Sequence, residues 1–290
     1  LFGERETQVN KTEERIRNQL LPPERVPSYR KFRELAESYM EDHPETRWHL
    51  ESAARRTHAT LIASAERLQP GGRVVDLGCL PPNLPLGFHI LGLLESIEYH
   101  GTCIETPEDP MVQCANSLGI HLHQINLDPR FDIFPEISKF PAQLPLENSS
   151  VDVVIVTEVL EHLVWPHSIL EEASRLLRPG GILVGTTPNA TNIGSVVKAL
   201  LGKGTLEWYE ESHLASEKWI KHVRFYGFRD LKLLFQEHGL RLTHSEFRSW
   251  ESLYGGHSGL KTWIKKGLRR ASYLIPWYRE GLFFVGQKTE

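Results

Sequence analysis

The stretch "RVVDLGCLPPNLPLGFHILG", Arg73 to Gly92, decides how this chain folds. It opens with a short apolar run, places an aspartate and a glycine at Asp76 and Gly78, and continues into apolar residues at helical spacing. That is the pattern of a buried strand, a tight turn and a helix, the unit whose turn holds ligands at the carboxyl edge of an open parallel sheet. Leu80, Pro81 and Pro82 then stand where more glycines are expected. A leucine Cβ resists positive φ, and proline fixes φ and removes a backbone donor. A pyrophosphate-binding turn needs glycines for close backbone approach, so the substitution counts against a nicotinamide cofactor.

Outward from this unit, strands and helices alternate. "EYHGTCIE" reads as a second strand, "PEDPMVQCANSLG" as a helix, "IHLHQIN" as a third strand and "SVDVVIVTEVL" as a fourth. "PHSILEEASRLLRPGG" reads as a helix, "ILVGTTPN" as a fifth strand, and "FRDLKLLFQEHGL", "RLTHSEF" and "LFFVGQK" as a helix and two closing strands. Such alternation predicts an α/β fold with a parallel sheet covered on both faces. Residues 1–27 read as a polar arm that ends in prolines, and 28–70 as two helices divided by Pro44 that cap the domain of 71–290. Two stretches, about 190–222 and 249–281, read as insertions into the sheet domain.

The 290 residues are 40% hydrophobic, enough for one substantial core, and the net charge of −4 gives no global attraction to nucleic acid. Three cysteines, Cys79, Cys103 and Cys114, lack paired spacing, which argues against a disulfide framework or a zinc cage and for a reducing, cytoplasmic location. No apolar run reaches the ~18 residues of a membrane span.

As an ordered set, "VVDLGC", "CIE", "LPLENSSVDVVIVTEVLEHL", "SRLLRPGGILVGTTPN" and "HVRFYGFRDLKLLFQEHGL" resemble the class I S-adenosylmethionine-dependent methyltransferases. The likeness is greatest to the small-molecule and saccharide O-methyltransferases that carry an "EVLEHL" segment, and it covers about Arg73 to Phe247 plus the final strand. It implies a Rossmann-like, seven-stranded, mostly parallel sheet with an antiparallel last strand. The implied cofactor is S-adenosylmethionine, bound across the ends of the first, second and fourth strands. By the same likeness Asp76 and Gly78, with Cys79 and Leu80 of their turn, sit at its methionine end, and Glu105 on its ribose. Asn126, Leu127 and Asp128 lie near its adenine, while Thr157 and Glu158 line the methyl donor. The family commonly carries D-x-G-x-G-x-G, and this chain departs from it at Leu80 and Pro82. Because S-adenosylmethionine has no pyrophosphate, a proline-built turn remains compatible with binding it.

"TEVLEHLVWP" is the richest segment in side-chain chemistry. In a helical turn, Glu158, Glu161 and His162 share one face, and His222 of "KHVRFY" joins them. This set resembles the metal ligands of small-RNA 2′-O-methyltransferases and, without His222, those of ubiquinone-pathway O-methyltransferases. The preferred expectation is metal-free, with the segment packing the cofactor loop against the sheet. His162 or His222 is then a candidate general base on an acceptor hydroxyl, with Glu158 beside it, because imidazole titrates near neutrality.

The insertions are expected to choose the substrate. Trp208 and Tyr209 are candidate pocket walls. In 258–275, Lys261, Lys265, Lys266, Arg269 and Arg270 alternate with Trp263, Ile264, Leu268 and Leu274, which suits either peripheral membrane contact or a solvated helix packed on the domain. The leading expectation is O-methylation of a saccharide, lipid-linked or other small metabolite, with no nucleic-acid partner. The alternatives are a methyltransferase fold that binds a ligand or catalyses another reaction, and a metal-assisted RNA methyltransferase.

Overall fold

Strand β4, Val151–Thr157, shows why the sheet is covered on both sides. Val151, Val153, Val154, Ile155 and Val156 are all fully buried. Side chains alternate across a strand, so Val154 and Val156 enter one core with Leu170, Ala173, Leu231 and Phe235. Val153 and Ile155 enter another, with Phe32, Ala59, Leu61 and Phe88. A strand buried on both faces has no polar side to show, hence the unbroken apolar run.

The structure, a computed structural model, describes residues 27–130, 135–204, 222–250 and 274–289. Its strands are β1 (Arg73–Asp76), β2 (Glu98–Cys103), β3 (His121–Gln124), β4, β5 (Leu177–Pro188), β6 (Leu240–Arg248) and β7 (Gly281–Lys288). They form one sheet in the order β3-β2-β1-β4-β5-β7-β6. All pair in parallel except β7, which runs antiparallel to both β5 and β6. The sheet therefore has the class expected from the sequence. From β1 the chain winds outward through β2 and β3, then returns to β4 on the other side of β1. This reversal leaves a crevice at the carboxyl ends of β1 and β4, where open sheets bind ligands.

Helices α1 (Tyr29–Asp42) and α2 (Arg47–Ala65) flank a single 3-10 turn at Pro44–Thr46. Ser28 caps α1 by accepting a hydrogen bond from the Lys31 amide. Phe32 of α1 and Ala59 and Leu61 of α2 share the second core with the strands, so these helices cover one face of the sheet. Helix α3 (Asn83–Ile90) is shorter than the apolar run suggests: Gly92 turns left-handed at φ +66°, and a 3-10 turn at Leu94–Ser96 follows. Helices α4 (Pro110–Ser117) and α5 (Pro135–Ser138) complete the first half of the chain. In the second half, α6 (His167–Leu176) and α8 (Phe228–Glu237) line the first core through Leu170 and Phe235. Between them, α7 (Ile193–Leu200) opens the first insertion and is capped by the Asn192 side chain.

Trp208 and Tyr209, and the basic and aromatic residues from Lys261 to Arg270, lie outside the described residues. So does most of the stretch 258–275 expected to touch a membrane; Leu274, within its described end, is exposed. Among the described residues no helix is long and apolar enough to cross a membrane.

The turn after β1 is held by backbone contacts. The Gly78 amide donates to Thr102 Oγ1 at 2.8 Å and the Cys79 amide to the Thr102 carbonyl at 3.0 Å. Gly78 adopts φ +85°, and a Cβ there would stand 2.6 Å from Val159 Cγ2. Backbone conformation and close approach both demand glycine. Gly78→Ala is therefore expected to cost about 1–3 kcal/mol of stability, measured by urea unfolding. Gly78→Ala combined with Val159→Ala should recover only the part due to the collision.

Candidate functional site

The carboxyl ends of β1, β2 and β4 open on a cavity of about 530 Å³. Asp76, Gly78, Cys79, Leu80, Glu105, Asn126, Leu127, Asp128, Thr157, Glu158 and His162 all line it. The fold thus brings to one cavity eleven of the twelve residues that the sequence suggested for cofactor binding or catalysis. The twelfth, His222, is not among the lining residues but has its ring centroid 4.9 Å from that of His162.

Asp76 ends the central strand and is 1% exposed. Its Oδ2 accepts a hydrogen bond from Tyr99 Oη at 2.9 Å, while Oδ1 has no partner within the protein. Burial pushes its carboxyl up to about 7, against the Tyr99 hydrogen bond, which favours the ionised form. Two further buried oxygens on the cavity wall, Thr60 Oγ1 and Asn83 Oδ1, also lack partners. Unsatisfied buried polar atoms are costly and uncommon. Three of them around one cavity mark where a polar ligand group belongs.

Glu105 lies two residues beyond the end of β2 rather than closing it. Its Oε2 accepts the Ile104 amide, and its carbonyl accepts Gln124 Nε2 at 2.8 Å, which fixes the segment against β3. Asn126 is buried and accepts the Asp128 amide through Oδ1. The Asp128 carboxylate accepts the amides of Val164, at 2.7 Å, and Trp165, fastening the loop after β3 to the segment after β4. Burial raises the Asp128 carboxyl above its ordinary range, with those two hydrogen bonds opposing it.

The turn "LPPN" is built without glycine geometry. Among the described residues only Ser149 and Glu158 are non-glycine residues with positive φ, so Leu80 is not forced into the left-handed region. Leu80 packs against the second core and also lines the cavity. Pro82 caps α3 at φ −77°, where its carbonyl accepts the Leu86 amide, and its missing N–H lies outside the helix ladder.

The segment after β4 differs from the expected helical turn. Glu158 sits at φ +55°, outside any helix, and only Leu160–His162 form a 3-10 turn. The reason lies in the close packing of Val159 against Gly78, which bends the chain before a helix can start. Glu158 and Glu161 consequently take different partners. Glu158 accepts Thr186 Oγ1 at 2.9 Å and pairs with Arg56 at 3.5 Å, whereas Glu161, fully buried, accepts Thr187 Oγ1 at 2.9 Å. Burial, and then the Glu158 charge, push the Glu161 carboxyl well above the usual carboxylate range.

His222 is brought in across sixty positions of sequence by the chain that follows it. The Val223 amide donates to the Glu161 carbonyl at 2.8 Å and Tyr226 Oη to the Leu160 carbonyl at 3.2 Å. Ligand atoms of Glu161, His162 and His222 lie within 4.8 Å of one another, a spacing that would admit a metal ion.

Sequence reasoning missed Arg56, Thr57 and Thr60, which reach the cavity from α2. Their helix has only weak apolar periodicity and carries no motif, so nothing local marks them. Asn83 was discoverable, since it follows the prolines directly. Four lining carboxylates, Asp76, Glu105, Asp128 and Glu158, face one lining guanidinium, Arg56. That balance suits a cationic ligand and opposes a phosphate-bearing one.

The buried Asp76 has a consequence for pH. Its folded value of about 7 lies above the ~3.9 of an unfolded aspartate, so between these values the folded state binds more protons than the unfolded state. Its contribution to stability is therefore present at low pH and is lost as pH rises through about 7; Glu161 acts with the same sign. Urea unfolding of the ligand-free protein from about pH 5 to about pH 7 should show a decline that Asp76→Asn makes shallower. An equally steep decline in the variant would contradict this reading of Asp76.

Known proteins agree with this architecture. The family model described as a methyltransferase domain matches residues 49–245. The ubiquinone biosynthesis O-methyltransferase of Maricaulis maris is 24% identical over 152 residues, covering 50% of this chain and 52% of that protein. Its counterpart from Marinobacter nauticus is 28% identical over 166 residues, covering 54% of this chain and 63% of that protein. The chain thus spans about half the length of the first of these relatives. Among solved structures, the complex of the Haloferax volcanii Trm112 methyltransferase activator with a methyltransferase matches at TM-score 0.55 and 17% identity, over 86% of this chain and 94% of that one. Geranyl diphosphate C-methyltransferase from Streptomyces coelicolor matches at TM-score 0.52 and 14% identity, over 81% and 80%. The family match across most of the sheet domain, together with the shared fold, leads to one conclusion: the chain belongs to the class I S-adenosylmethionine-dependent methyltransferases.

Proposed function

We propose that the chain transfers a methyl group from S-adenosylmethionine to a hydroxyl of a small molecule, with a saccharide or lipid-linked metabolite as the favoured acceptor class. The observation that carries this reading is the cavity itself: four carboxyl residues line it, among them the buried Asp76 with its partnerless Oδ1, and His162 lines it too. The bound cofactor supplies a sulfonium-activated methyl group and a zwitterionic amino acid end. Asp76, with the Asn83 and Thr60 oxygens, is suited to hold the ammonium of that end, and Glu105 to accept hydrogen bonds from ribose hydroxyls. Leu80, Leu127 and Ile137 provide apolar wall.

Methyl transfer asks chiefly for in-line positioning of a nucleophile. In this reading His162 takes the acceptor's proton, a role supported by its position on the cavity wall, with the His222 ring beside it and the buried Glu161 preceding it in the chain. The names of the ubiquinone-pathway relatives support oxygen as the nucleophile. A second reading rests on the Glu161, His162 and His222 cluster: a divalent ion held there would polarise the acceptor hydroxyl in place of a general base. The metal-free reading is preferred because His162 lines the cavity and needs no ion to accept a proton, while spacing alone does not establish coordination.

Calorimetric titration with S-adenosylmethionine tests the cofactor half of the proposal. Glu105→Ala should weaken binding by about 1–3 kcal/mol. Leu80→Gly with Pro82→Gly should leave affinity unchanged or weaker and lower stability by roughly 1 kcal/mol or more through added unfolded-state freedom. No binding by the wild-type chain, or a large gain in the double variant, would oppose methyl transfer.

For the reaction half, methyl transfer to a panel of hydroxylated acceptors should fall by about 10²–10⁴-fold in His162→Ala, the range of a lost general base. Activity should survive dialysis against a chelator. Loss on chelation with recovery on adding a divalent ion would favour the second reading.

A further inference from the structure

A second group of imidazoles and carboxylate lies where the amino end of α6 meets the carboxyl end of α8, and none of its members lines the cavity. His167 is the first residue of α6, Glu237 the last of α8, and His238 the residue that caps α8. His167 Nδ1 is 3.0 Å from His238 Nε2 and 3.6 Å from Glu237 Oε2, and the three ligand atoms lie within 4.8 Å of one another.

We propose that His167, Glu237 and His238 form a binding site for a divalent transition metal of the zinc type, which staples α6 to α8. Zinc–nitrogen and zinc–oxygen bonds of ~2.0–2.2 Å at tetrahedral angles set ligand atoms ~3.3 Å apart. The two separations, 3.0 Å in an imidazole–imidazole hydrogen bond and 3.6 Å in an imidazole–carboxylate contact, fall on either side of that value. Two imidazoles and a carboxylate are the donor types zinc takes, and three protein ligands leave a fourth position for water.

The carbonyl-rich end of α8 brings the negative pole of its helix dipole to the site and Glu171 adds negative charge toward His238, which offset the positive pole at the amino end of α6. His167 and Glu237 have side chains 27% and 61% exposed, so an ion has a path in.

The site is linked to the cavity rim. The Trp165 ring lies 4.6 Å from that of His167, and the Trp165 amide donates to Asp128, a lining residue. A metal here would fix the α6 end of the same clasp without entering the reaction. It stands independently of the proposed methyl transfer, since none of its ligands lines the cavity and its test reads zinc binding rather than methyl transfer.

The experiment uses the full chain and zinc chloride, titrated against a chromophoric zinc chelator near neutral pH. His167→Ala and His238→Ala should each weaken zinc binding about tenfold or more, and Glu237→Gln by a smaller factor. His162→Ala, which alters only the cavity cluster, should leave this binding in place. Cobalt(II) added to the wild-type protein should give the visible absorption of a tetrahedral nitrogen–oxygen site, a readout that needs no variant to fold. Absence of zinc binding by the wild-type chain, unchanged affinity in both histidine variants, or loss confined to His162→Ala would overturn the proposal.

Discussion

At residue 78 the backbone after the central strand passes so close to Val159 that only a hydrogen atom fits between them. This contact joins the first turn of the sheet to the segment after β4, and most of the site depends on it. With Val159 pinned there, Glu158 takes a left-handed conformation and the chain makes one 3-10 turn instead of a helix. That turn separates two glutamates that would otherwise share a face. One turns to Arg56 and Thr186 beside the cavity, the other down to Thr187 in the core. The same turn presents His162 to the cavity and offers its backbone carbonyls to the strand of chain that carries His222.

The fold accommodates the loss of glycines in the first turn. Positive φ is used at Gly78 but not at Leu80, the Leu80–Pro81 peptide is cis, Leu80 closes a core and a cavity wall at once, and Pro82 starts a helix. A glycine-rich turn offers backbone donors to phosphate. This turn instead leaves buried acceptors facing the cavity, on Asp76 and Asn83. The sign of the site is thereby set for a cation, which agrees with a sulfonium cofactor and disagrees with a dinucleotide.

Buried acids recur around this framework, and each is tied differently. Asp76 keeps one oxygen on Tyr99 and one toward the cavity; Asp128 spends its carboxylate on backbone amides; Glu161 lies beneath the histidines with one oxygen on Thr187. All three have carboxyls pushed up by burial. A ligand that brings positive charge to Asp76 offsets a desolvation cost already incurred in folding, which is a direct route from the stability of the fold to affinity for the cofactor.

The sequence by itself determined the sheet and the approximate place of the site. Strand periodicity and apolar runs are local properties, and an acidic residue at a strand end announces its position without reference to distant chain. Asp76, Gly78 and Glu105 stood out for that reason, whereas Thr157 came from the family resemblance and His162 from the chemistry of its own segment. Arg56, Thr57 and Thr60 were not legible, because a helix packed across the sheet brings them to the cavity and nothing in their own stretch distinguishes them from core or surface. The geometry of "EVLEHL" was misread as helical because its bend comes from a glycine some eighty residues earlier. The pairing of His167 with His238, and of His162 with His222, likewise belongs to the tertiary structure. Spacing along the chain specifies contacts only within a helix or a strand. Contacts between elements follow from which faces the core requires them to bury.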